Sequence, residues 1–251
     1  MLALKLFLVP ACLALISLAG KRWGPEIAGW LAGFPVLTGP ILFLIALENG
    51  AAFAAAAGTV SLSAVFGAVA FSLTYSRAAT RASPLRSLLA GLGVWCCAAL
   101  LLTHLPLTIY FSLAIALATL LVAPKLFPRV SAPITNTIMP RYELPLRMLA
   151  GAVVTIAVTS LAAAIGPAWS GMFAVFPVLS IVLAVFLHRA SGAAFATTLL
   201  KSMIWGLYAF TSFCFTVAML LPRLGVAVAF ACAVGVAVVV QGTLKSRLKR
   251  R

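Results

Sequence analysis

The sequence contains no aspartate, and its side chains carry only three carboxylates, Glu26, Glu48 and Glu143. Histidine is almost as scarce, with His104 and His188 alone. Five cysteines, Cys12, Cys96, Cys97, Cys214 and Cys232, sit in apolar stretches and show no Cys-x-x-Cys spacing. Hydrolytic and metal chemistry need several such groups converging on one point. The composition therefore gives an enzyme little to work with and implies no metal. Neither a Walker loop nor a dinucleotide fingerprint is present, so no cofactor is implied. The cysteines read as buried reduced thiols. Charge is sparse as well: Asp, Glu, Lys and Arg make up 8% of the residues, and the net +15 has no soluble domain on which to cluster. A nucleic-acid surface, which requires such clustering, is not expected.

What is abundant is apolar side chain, at 64% of 251 residues. No water-soluble fold could cover that much, so the expectation is an all-α integral membrane protein. Cutting the apolar runs at Gly, Pro and charge clusters gives nine spans, at about 3–20, 30–47, 52–75, 86–103, 107–123, 147–165, 171–188, 193–221 and 223–241. Positive charge tests the count, because cytoplasmic loops hold the excess of Lys and Arg. With the N-terminus outside, the cytoplasmic segments take Lys21, Arg22, Arg77, Arg81, Arg86, Lys125, Arg129, Arg141, Arg147, Arg189, Lys245, Arg247, Lys249, Arg250 and Arg251, fifteen in all. The external segments take only Lys5 and Arg223, and Lys201 falls inside a span. Adding or dropping one span in the middle destroys that split. His104 and His188 then fall on opposite sides and cannot share a metal.

One stretch occurs twice. Gly24 to Ala54 and Gly166 to Ala196 align without gaps at an offset of 142, matching at 13 of 31 positions, with Phe-Pro-Val-Leu in the middle and Gly-Ala-Ala-Phe-Ala at the end. The chain reads as two homologous halves. Equivalent helices are five crossings apart, an odd number, so the halves are inverted. The expected layout is 4+1+4: repeat one at 1–104, a connecting helix at 105–124, a cytoplasmic linker at 125–145, repeat two at 146–244 and a basic tail at 245–251. The same offset pairs Leu2, Leu4 and Lys5 with Leu144, Leu146 and Arg147, so the N-terminal run reads as a first helix and not as a cleaved leader. The basic linker is expected to lie against anionic lipid.

Lys5, Ile27-Ala28-Gly29, Phe34-Pro35, Glu48 and Gly50 form a pattern that resembles GlpM, a small four-helix bacterial inner-membrane family. The resemblance covers about one four-helix half and suggests a fused, inverted double version. It implies the bacterial inner membrane, and no defined substrate. Repeat two departs from the pattern, with Ala190 where repeat one has Glu48.

Inverted repeats suit a transporter, whose halves exchange shapes about a central site, and the pointer to that site is a Gly- or Pro-interrupted helix in both halves. Phe34-Pro35 and Phe176-Pro177 supply one each, and Gly39-Pro40 adds a second break in the first copy. Each proline removes a main-chain donor, freeing carbonyls near Leu31 and Phe173. Thr38 and Ser180 follow at equivalent positions and are the candidate substrate-binding hydroxyls. Alternatively, Phe-Pro is a packing kink and the hydroxyls bond back to their own helices. Gly29 and Gly33 form a Gly-x-x-x-Gly pair suited to close helix packing.

Lys201 is the third candidate for substrate binding, because a charge at membrane depth is costly; the alternative is a side chain that snorkels to the interface. Lys5, Glu48 and Arg147 are candidates for a gate or an ion pair, with Lys5 and Glu48 at the same outer end. The expected function is a secondary-transporter-like permease for a small polar or anionic solute. Its partners are the bilayer and that solute, and a homo-oligomer is compatible with the sequence. The rival is a non-transporting scaffold or accessory subunit of an envelope pathway.

Overall fold

The structure, a computed structural model, describes residues 2–130, 142–165 and 176–248, with side chains described over 6–130, 142–161 and 176–244. Among the described residues there are ten helices and no strand. They are α1 (Leu2–Trp23), α2 (Pro25–Ala32), α3 (Thr38–Asn49), α4 (Ala51–Ala79), α5 (Pro84–Thr103), α6 (Ile109–Leu126), α7 (Glu143–Ile165), α8 (Val178–Ser191), α9 (Ala193–Leu224) and α10 (Val226–Leu248). Seven, all but α2, α3 and α8, are long and apolar enough to cross a membrane. The chain is an all-α, multi-pass membrane protein. Phe7, Leu15, Leu121, Leu149 and Val239 are exposed on the outside of the bundle, as suits a solvent of hydrocarbon.

The helix ends follow from local chemistry. Pro25 and Pro84 stand in the first turns of α2 and α5, where a missing N–H costs nothing. The Thr108 hydroxyl caps α6 by accepting from the Phe111 N–H at 3.4 Å. Four joints between helices are a single glycine: Gly24, Gly50, Gly192 and Gly225, with φ of 88°, 88°, 89° and 76°. Gly50 and Gly192 also share ψ, at 167° and 173°, a conformation open essentially to glycine alone. Each turns a short helix into a long one without a loop.

The span expected at 30–47 is not continuous. It is two helices, α2 and α3, separated at Gly33–Leu37, and α3 has 12 residues where about 20 are needed to cross. The span expected at 171–188 is described from Phe176 onward, as the 14-residue α8. Residues 131–141 of the expected linker, and 166–175 of the second motif copy with Phe173 among them, lie outside the described residues. Helix α10 runs to Leu248, so the expected tail at 245–251 begins as helix.

Helix α9 is the centre of the bundle, with 61% of its span buried against 17% for α7. It packs on α4, α10, α2, α8 and α6. The α2–α9 crossing is close enough to bring backbones together: a Cβ on Gly29 would lie 2.0 Å from the Leu199 carbonyl oxygen, and one on Gly33 2.3 Å from that of Met203. Gly206 answers from the other side, where a Cβ would meet the Trp30 carbonyl at 2.3 Å. The Gly29/Gly33 pair is therefore a packing contact, as expected for small residues between membrane helices.

Other pairings give the bundle its shape. Helix α1 packs on α7, α4 on α5, α3 on α4, α3 on α10, α5 on α8, and α6 on both α4 and α9. At one end, the Arg77 guanidinium donates to the Leu126 carbonyl at 3.1 Å, the Tyr75 hydroxyl lies 3.2 Å from His188 Nδ1, and Arg147 reaches Ser17. The ends of α1, α4, α6, α7 and α8 that carry Lys21, Arg77, Lys125, Arg147 and Arg189 thus share one face of the bundle.

Candidate functional site

The first break is a local accounting problem in hydrogen bonds. In an unbroken helix the Phe34 N–H would bond to the Trp30 carbonyl; instead it bonds to that of Leu31, at 3.1 Å. Leu31 is therefore not the freed acceptor that the position of Pro35 suggested. The carbonyl released is that of Trp30, and the Gln241 side-chain amide, on α10 and nearly fully buried, reaches it at 3.4 Å. Beyond the break, the Val36 N–H bonds to the Phe34 carbonyl at 2.7 Å and the Gly39 N–H to that of Pro35 at 2.9 Å, and α3 starts at Thr38. The second break is capped alike: the Val178 N–H bonds to the Phe176 carbonyl at 2.8 Å, and α8 begins at once.

Both breaks open on one cavity of about 100 Å³. From the first come Phe34, Leu37 and Thr38, and from the second Phe176, Pro177 and Ser180. Ala64, Val65 and Ala68 of α4 and Met203, Leu207 and Phe210 of α9 complete the wall. The structure therefore brings Thr38 and Ser180, 142 residues apart, to one space. Neither hydroxyl bonds back to its own helix. Ser180 is fully buried and donates to Met203 Sδ at 3.3 Å, a weak acceptor, and Thr38 makes no side-chain hydrogen bond among the described residues. By contrast, Thr59, Ser61 and Ser72 of α4 all bond to the carbonyl four residues before them. The first turns of α3 and α8 line this cavity, so two helix N-termini, each with a partial positive charge, border it. Among the described residues, no charged side chain does.

The remaining expected residues lie elsewhere. Pro35, Gly39 and Pro40 line a separate apolar groove on the outside of the break, which they share with Phe34. Lys201 is exposed on α9 and does not border the cavity, so the structure does not unite it with Thr38 and Ser180. Periodicity explains this: Leu199, Leu200, Met203, Ile204 and Leu207 are the buried face of α9, and position 201 points away from them. Glu48 is exposed at the end of α3, and the Lys5 side chain lies outside the described residues.

Arg147 has a partner that spacing did offer and the sequence reading passed over. Glu143 precedes it by one helical turn, and the two form a buried ion pair, each 6% exposed. Arg147 Nε donates to Glu143 Oε1 at 3.2 Å, a second guanidinium nitrogen donates to the same oxygen, and the third donates to Ser17 Oγ at 3.1 Å. The guanidinium also lies 5.8 Å from the Phe186 ring centroid, so α7, α1 and α8 meet on one cation. A small cavity of about 30 Å³ beside it is lined by Lys21 and Ser191 as well. The i, i+4 spacing of Glu143 and Arg147 was the available signal; the Ser17 contact, 130 residues away, left none.

His104 caps α5 while His188 pairs with Tyr75, and among the described residues no three His, Cys, Asp or Glu side chains are grouped to hold a metal. Compared with known proteins, the chain matches no family model, no curated protein and no solved structure.

Proposed function

We propose that this protein is a secondary-transporter-like permease that moves a small polar or anionic solute by alternating access of two inverted halves, 1–104 and 146–244, joined through the connecting helix at 105–124. The observation that carries the reading is the single cavity shared by the two Phe-Pro breaks. In transporters built from inverted repeats the solute sits where broken helices of both halves meet, with half-helix N-termini facing its anionic part. Here Thr38, Ser180 and the first turns of α3 and α8 stand in those places. Lys201 has no part in this version of the site.

The helix pairings support the two-fold layout. A shift of 142 residues turns α3 into α8, α4 into α9 and α5 into α10. It therefore exchanges the α3–α10 contact with α8–α5 and the α4–α5 contact with α9–α10, and it maps the α1–α7 and α4–α9 contacts onto themselves. Nine membrane passages follow if α2–α3 and the segment ending in α8 each count as one broken passage. The N-terminus is then outside and the basic face of the bundle cytoplasmic. We also place the protein with GlpM-like proteins of the bacterial inner membrane, as a fused double unit, on the residues that carry that resemblance. The buried Glu143–Arg147–Ser17 cluster serves in this scheme as the inner gate, tying α7 to α1 on the cytoplasmic side. The outer gate would fall at Lys5 and Glu48.

A scaffold would have no use, at a central cavity, for a Ser180 hydroxyl held only by a thioether and a Thr38 hydroxyl with no hydrogen-bond partner among the described residues. The deciding experiment is uptake of a metabolite mixture into proteoliposomes by the wild type and by a Thr38→Val, Ser180→Ala double variant. Both substitutions conserve shape, so folding is expected to survive. Uptake should fall at least tenfold in the variant. Equal uptake would remove these residues from the site, and none by either protein would favour the scaffold.

A further inference from the structure

The wall of Phe34 that faces away from the cavity borders a second, larger space. This is a groove of about 730 Å³ between α3, α9 and α10, open to the outside of the bundle. Its surface is apolar and rich in rings: Phe43 packs edge-on against Phe230 at 5.2 Å between centroids, and Phe230 against Phe213 at 6.0 Å. Its volume lies within the range of about 300–1,000 Å³ typical of ligand sites. From Phe34 to Leu44 it follows ten residues of chain, about 15 Å if all were helical, which is half the roughly 30 Å hydrocarbon core. The groove thus runs from the helix break along α3 for about half that thickness.

The other half of the molecule shows that this space is not required by the architecture. There Trp95 of α5 packs edge-on against Phe176 at 4.9 Å and fills the corresponding gap, and Gly67 makes room for it, since a Cβ there would lie 3.3 Å from the indole. At the same offset of 142, Phe34 stands for Phe176, Ala237 for Trp95 and Ala209 for Gly67. Where one half carries its own plug, the other carries a methyl group.

We propose that this groove holds a hydrocarbon chain of a membrane lipid, and that the solute received by the Thr38–Ser180 cavity is therefore an amphiphile, a small polar or anionic head on an apolar chain, loaded sideways past Phe34. The inference rests on the permease reading and names its substrate class. A second protein helix is a poorer occupant, because helices meet in membranes over small residues, and this surface presents phenylalanines. A head group held at the helix break must keep its chain in hydrocarbon, and the groove leads from the break along α3 to the outside of the bundle. The two hydroxyls and two helix N-termini lie on the far side of Phe34, where the head would sit.

The test uses the full-length protein purified from phosphatidylglycerol-containing membranes, with native mass spectrometry to count retained phospholipid. In parallel, proteoliposomes report the transfer of a fluorescent phosphatidylglycerol between leaflets. Ala237→Trp restores the plug of the other half; Val234→Trp, at a half-exposed position on the groove wall, is the second variant should the first misfold. The wild type should retain one phospholipid and speed transfer at least tenfold over protein-free vesicles, and either plugged variant should lose both. Retention by the plugged variants equal to that of the wild type overturns the proposal, as does a lipid-free wild-type dimer. If soluble metabolites are taken up normally by the plugged variants, the lateral route is wrong while the permease stands. If lipid is retained and displaced by the plug but nothing is transported, the amphiphile is not a solute and the permease reading falls with it.

Discussion

The two Phe-Pro breaks share a motif and a cavity, yet their surroundings differ. On the α8 side Trp95 packs against Phe176 and closes the outer wall; on the α3 side Ala237 leaves the groove open. Gln241 serves the Trp30 carbonyl, and its counterpart at position 99 is Ala; Met172, the counterpart of Trp30, lies outside the described residues. In the proposed two-fold layout the halves keep their breaks and differ in how each is supported. Among the described residues, ring packing supports the α8 side and an amide hydrogen bond the α3 side. The closed side should accordingly be the rigid one and the open side the mobile one.

Four substitutions sharpen this contrast. The largest effect is expected for Trp95→Ala, which removes a nearly buried indole and opens a second groove, at a cost of about 3–5 kcal/mol read as easier unfolding in SDS. A cost below about 1 kcal/mol would mean that the ring does not support the break. Next come Gly50→Ala and Gly192→Ala, each forcing a side chain into a glycine-only conformation for about 1–3 kcal/mol. The two costs should agree closely, and a clear inequality in the same assay would argue against equivalent joints. Smallest is Gln241→Leu, which leaves the Trp30 carbonyl without its amide donor and should cost about 1 kcal/mol, with faster hydrogen exchange at α2 than at α8.

Much of the fold was legible in the chain. Apolar runs bounded by Gly, Pro and charge placed the long helices to within a few residues, because a membrane helix must satisfy its backbone internally and stops where it cannot. The Phe34-Pro35 break was legible for the same reason, as was the close contact at Gly29 and Gly33. What escaped depended on direction. The direction of Lys201 was itself open to reading, since Thr198, Lys201, Ser202, Ser212 and Thr216 form a polar stripe along α9 opposite its buried apolar face. The choice of Trp30 over Leu31 as the freed carbonyl depended on how the chain turns after Gly33. The Arg147–Ser17 contact joins residues 130 apart, and only packing of α1 on α7 reveals it. The open groove could have been read by carrying the offset of 142 past the matching motif to Trp95 and Ala237.

The central claim is that Thr38 and Ser180 face one cavity that opens in turn to each side of the membrane. It is tested most directly by replacing the five native cysteines with alanine, introducing Thr38→Cys or Ser180→Cys, and applying a membrane-impermeant maleimide to either side, with Lys125→Cys, exposed at the end of α6, as a one-sided control. Modification of both introduced thiols from both sides is the predicted result. Thiols that react from neither side, while the control reacts from one, would mean a sealed and static core and would contradict the account.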